Sequence, residues 1–148
     1  RIEKEYQGLV SLGDPYDPDL FTSDHAEFKM SHNEAFASLA RNLGDDKVYP
    51  VFYLDGPDGG TSSYLLAAGF DCTDLYMANE WKESVSTLRS DPFHLPAEHC
   101  LLGRAQDVLR DDFVDVEFVA YYLDGCSGQT EPVMEMVSSI LSRKNLAK

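Results

Sequence analysis

The residues with the most concentrated chemistry are Asp55-Gly56-Pro57-Asp58-Gly59-Gly60-Thr61-Ser62. They follow the apolar run Val51-Phe52-Tyr53-Leu54 and precede a helical stretch. Glycines at such a junction let the backbone approach a ligand closely, and the first turn of a helix offers free N–H groups. Asp55, Gly56 and Gly59 are therefore candidate ligand residues; the plain alternative is a tight strand-to-helix turn. The loop does not read as the phosphate cradle of nucleoside triphosphatases. It holds no lysine, its glycines are spaced differently, and its acids would oppose a triphosphate.

Three more polar clusters follow apolar runs. Asn79-Glu80-Trp81 closes the second run, about 20 residues after the glycine loop. A carboxylate there can accept hydrogen bonds from both hydroxyls of a ribose, and Trp81 can lie against an adenine ring. A helix cap with a core tryptophan is the competing reading. Gly103-Arg104-Ala105-Gln106-Asp107 closes the third run, and Asp124-Gly125-Cys126-Ser127-Gly128 the fourth. Asp124 is the candidate for a polar role over a reacting centre. Cys126 reads as a small buried residue rather than a nucleophile, because no base is placed beside it.

The elements that must carry these clusters alternate. Residues 1–24 are a polar, turn-rich lead-in, where Asp14-Pro15 and Asp17-Pro18 disfavour helix. A helix is predicted over 25–43, with Ala35, Phe36, Leu39 and Leu43 at helical spacing and Gly44 as its stop. Strands are predicted at 51–54, 75–78, 100–102 and 116–123, with helices over 61–69, 81–90, 105–111 and 131–143. Trp81, Val85 and Leu88 are expected on one side of their helix, and Val133, Val137, Ile140 and Leu141 form the last stripe. This alternation predicts an open, mostly parallel α/β sheet of the Rossmann-like kind, in three layers with strand order 3-2-1-4. Residues 1–47 would form a lead-in and helix, and 48–148 the sheet domain. Ligands of such sheets sit beyond the carboxyl ends of the strands, where Asp55, Glu80, Arg104 and Asp124 would gather.

Composition narrows the partners. The chain has 148 residues and a net charge of −14, from 26 acidic and 12 basic side chains. Such a surface repels phosphate backbones, so direct nucleic-acid binding is disfavoured, while small molecules and protein partners remain compatible. No apolar run reaches the roughly 18 residues of a membrane span. Cys72, Cys100 and Cys126 match no zinc pattern, and their odd number fits a reduced, intracellular compartment, cytoplasmic or organellar. The chain opens on Arg1 rather than Met, as a processed or partial chain would.

Taken together, the four clusters resemble those of class I S-adenosylmethionine-dependent methyltransferases, in family order over residues 48–143. The resemblance implies that S-adenosylmethionine is the cofactor. Leu54-Asp55-Gly56-Pro57-Asp58-Gly59-Gly60 is similar to the loop that holds its methionine part. Glu80 is similar to the ribose-binding acid, with Trp81 beside adenine; Arg104 and Ala105 fall in the motif that borders adenine; and Leu123-Asp124-Gly125 is similar to the fourth motif. The sequence departs from the pattern at Pro57, Thr61, Arg104 and Ser127, and the resemblance would call for three further strands after the fourth strand–helix unit. It implies methyl transfer to an oxygen or nitrogen acceptor, with Asp124 as catalytic base or orienting group. The departures favour an alternative, a non-catalytic relative serving as a binding or structural subunit of a larger assembly. For want of a second wall to the acceptor pocket, the isolated chain is expected to transfer methyl groups poorly.

Overall fold

A computed structural model describes residues 23–44, 49–124 and 131–143. Helix α1 (Ser23–Leu43) leads into strand β1 (Val51–Tyr53) and helix α2 (Gly60–Ala67). A 3-10 turn at Cys72–Asp74 precedes strand β2 (Leu75–Asn79) and helix α3 (Lys82–Arg89). Strand β3 (Cys100–Leu102), helix α4 (Ala105–Asp111), strand β4 (Ala120–Tyr122) and helix α5 (Glu131–Leu141) complete the described order. Every strand pairing is parallel, and the order is β3-β2-β1-β4. The chain thus has the α/β open sheet of the Rossmann-like kind, with the predicted order 3-2-1-4. None of the described helices is long and apolar enough to cross a membrane.

The alternation of side chains along each strand divides the core in two. Val51 and Tyr53 of β1 and Leu75 and Met77 of β2 pack with α1, α2 and α3 on one face. Phe52, Ala78 and Leu101 pack with α4 and α5 on the other. Both faces are covered, which is why these strands read as unbroken apolar runs rather than alternating ones. Phe52, Tyr76, Phe113, Phe118 and Tyr121 form an aromatic cluster on the second face, with ring centroids 5.1 to 6.2 Å apart. Arg143 closes that face. Its guanidinium donates to the Leu109, Phe113 and Val116 carbonyls and lies 5.3 Å from the Phe118 ring centre.

Several expected element details are corrected. The buried side of α1 is Asn33, Phe36, Ala37 and Ala40, whereas Leu39 and Leu43 are exposed. The small alanines let α1 lie close on the core, and Phe36 stacks on Tyr122 of β4 at 4.6 Å. Helix α5 buries Met136 and Ile140, and leaves Leu141 exposed. Trp81 does not share the buried side of Val85 and Leu88; it precedes α3 and is 48% exposed. The predicted strand over 116–123 is ordered as strand only at Ala120–Tyr122. The Val116 N–H is spent on the Phe113 carbonyl, so this stretch begins as a turn and not as a ladder.

Candidate functional site

The carboxyl ends of all four strands open into one cleft of about 600 Å³. Strand order reverses between β1 and β4, and the cleft spans that switch point, where α/β sheets hold their ligands. Of the predicted site residues, Asp55, Gly56, Glu80, Trp81, Arg104, Ala105 and Asp124 line it. Gly125, Cys126 and Ser127 lie outside the described residues, as do Tyr16 and Phe21 of the lead-in.

Gly59, by contrast, is not among the residues lining the cleft. Its φ is 64°, and a Cβ placed on it would fall 2.2 Å from the Phe93 ring. Glycine is needed here to turn the chain into α2 under an aromatic ring.

Asp55 borders the cleft, but its carboxylate faces the loop. Oδ1 accepts from the Gly56 and Thr61 N–H groups, at 3.0 and 3.2 Å. Oδ2 accepts from the Ser62 N–H and hydroxyl, at 2.8 and 2.6 Å. The side chain thereby caps the first turn of α2, where backbone donors lack helical partners. Tyr53 extends the chain by donating its buried hydroxyl to Ser62 Oγ at 2.8 Å. Burial pushes the Asp55 carboxyl above its ordinary range, against the opposing pull of the Ser62 and Thr61 hydrogen bonds. Thr61 also donates to Asn33 Oδ1 at 3.3 Å, which fastens the loop to α1.

Two ion pairs stand in the cleft. Arg104 Nε meets Glu80 Oε1 at 3.2 Å, bridging the ends of β2 and β3. Lys29 Nζ meets Asp124 Oδ2 at 3.3 Å, bridging α1 to the end of β4. Both pairs are partly open to solvent, which limits what each adds to stability. Glu80, Glu83, Asp124 and Glu135 line the cleft against the cations Lys29 and Arg104, so its lining is acidic.

Sequence reasoning missed Lys29 and underused Asn79. Asn79 donates to the Asp55 carbonyl at 2.7 Å and accepts from the Trp81 N–H at 2.7 Å. It ties the glycine loop to the turn that presents Glu80 and Trp81. Its position at a strand end was a usable signal. Lys29 gave none, because its helix precedes the sheet and carries no motif. Cys100, by contrast, is a core thiol: burial pushes it up to about 12, and it contacts Met77 Sδ at 3.2 Å. Comparison of the chain with protein-family models, curated proteins and solved structures finds no match.

Proposed function

We propose that the chain binds S-adenosylmethionine in this cleft and presents its methyl group to an oxygen or nitrogen acceptor beside Asp124. The observation carrying this reading is the convergence of four sequence clusters, between Asp55 and Asp124, on one cleft at the switch point. The residues fit the cofactor. The cleft is in the size range of small-molecule sites, about 300–1,000 Å³. Its acidic lining suits a ligand bearing a sulfonium and an ammonium, and opposes a polyphosphate.

In this reading Glu80 accepts the ribose hydroxyls. Arg104 engages Oε1, leaving Oε2 to meet a hydroxyl. The half-exposed Trp81 ring lies along the adenine, with Ala105 across from it at the start of α4. Gly56 has no side chain to keep the methionine part from the β1 loop. When bound, the cofactor supplies a methyl group activated on sulfur. Asp124 orients the acceptor and receives its proton, and Lys29 fixes the position of that carboxylate.

A second reading, a non-catalytic binding or structural subunit, is favoured by one observation: Glu80 and Asp124 each already hold a basic partner. Calorimetric titration with S-adenosylmethionine, paired with an assay of labelled methyl transfer to small-molecule and protein acceptors, separates the two. Binding with turnover lost in Asp124→Ala supports the enzyme. Binding without turnover, or no binding at all, supports the subunit, and absence of binding overturns the enzyme.

A further inference from the structure

The pair formed by Glu80 and Arg104 is built by the sheet, not by two long side chains meeting on a surface. Strands β2 and β3 run parallel with Asn79 opposite Leu102. The Gly103 N–H then donates to the Asn79 carbonyl at 2.9 Å, which carries the pairing past the end of β3. Glu80 and Arg104 are the next residues, so they leave neighbouring strands at the same level. Asn79 fixes the first turn further. Its side chain accepts from the Trp81 N–H and donates to the Asp55 carbonyl, both at 2.7 Å.

Arg104 touches Glu80 at one point, Nε to Oε1 at 3.2 Å. Among the described residues, neither Nη of Arg104 nor Oε2 of Glu80 has a hydrogen-bond partner. A pair this open to solvent adds little to stability. Its effect falls on what Glu80 can still accept. A carboxylate that holds a vicinal diol does so most simply with one hydroxyl on each oxygen. Here a bulky, permanently charged guanidinium stands on Oε1, and Oε2 is the oxygen left for a ligand.

We infer that Arg104 sets the ribose specificity of the cleft: it withdraws Glu80 Oε1 from the ligand, so that one hydroxyl of a nucleoside's ribose is read and not both. The inference rests on the reading of the cleft as a nucleoside site, and it names what that site distinguishes. A purine nucleoside lacking the unread hydroxyl is accepted beside the full ribose, whereas one lacking the other hydroxyl is rejected. Arg104 acts through Glu80 and is a positioning residue.

Trp81 is the only tryptophan of the chain and lines the cleft, so its fluorescence reports binding there. The test titrates the full chain with S-adenosylmethionine, adenosine, 2′-deoxyadenosine and 3′-deoxyadenosine. In the unaltered chain, one deoxynucleoside should bind within about twofold of adenosine and the other at least about tenfold more weakly, as loss of a bond to a charged group requires. Arg104→Met keeps the apolar stem and removes the guanidinium. In that variant both deoxynucleosides should fall at least about tenfold below adenosine, because each hydroxyl then has its own carboxylate oxygen. Arg104→Ala should give the same pattern, and guards against the methionine itself filling the cleft. A merely structural role would lower all the nucleoside affinities together and leave their ratios unchanged. Equal affinity for the two deoxynucleosides in the unaltered chain, ratios that neither variant moves, or binding of S-adenosylmethionine but of no nucleoside would overturn the inference and leave the reading of the cleft standing. Binding of none of these ligands would overturn both.

Discussion

Asp55 borders the cleft, yet its carboxylate is engaged by four donors of its own turn. Replacing it with alanine leaves the buried Thr61 and Ser62 donors unpaired. Asp55→Ala should therefore lower unfolding free energy by about 1–3 kcal/mol, read from urea denaturation. Glu80 has the opposite character, half-exposed and facing the cleft. Glu80→Ala should leave stability nearly unchanged and weaken S-adenosylmethionine binding by about 1–3 kcal/mol in calorimetry. His99 supplies a pH dependence. It stacks on Tyr76 at 3.8 Å, its Nδ1 is buried without a hydrogen-bond partner, and burial lowers its pKa. The fold therefore favours the neutral ring. Its contribution is present above the ordinary histidine value of about 6.5 and is lost as pH falls through the depressed folded value. The urea midpoint should drop as pH falls below about 6.5, and His99→Phe should flatten that part of the curve. At this scale the sequence revealed which residue types stand at strand ends. It could not reveal that the Asp55 carboxylate turns inward or that Gly59 sits under Phe93, because both depend on contacts closed by folding.

The elements were legible in number, kind and order because apolar runs and helical spacing survive without tertiary information. Their faces were less so. On α1 the larger residues Leu39 and Leu43 outweigh Ala37 and Ala40 in a reading of hydropathy, but the alanines are the ones buried. Close packing of a helix on a sheet rewards small side chains, a preference that periodicity alone does not carry. The β1–α2 turn shows the same limit. Its glycines signal a junction, and only the fold shows which one is forced by geometry. Gly59→Ala combines a left-handed backbone with a clash against Phe93, and should cost about 1–3 kcal/mol of stability. A native-like melting temperature in that variant would contradict this role for Gly59. Gly56, by contrast, belongs to the cleft, and a side chain there should act on ligand affinity.

For the whole molecule, one parallel sheet with helices on both faces places four separated clusters at one edge. The order β3-β2-β1-β4 opens a cleft at that edge, because the connections after β1 and β4 part there and leave room between them. The most direct test of the account is an NMR titration of labelled protein with S-adenosylmethionine. The account predicts saturable shifts at the amides of Gly56, Glu80, Trp81 and Ala105, with Val114 and Leu141 unmoved. Shifts scattered away from the cleft, or none at millimolar cofactor, would contradict it.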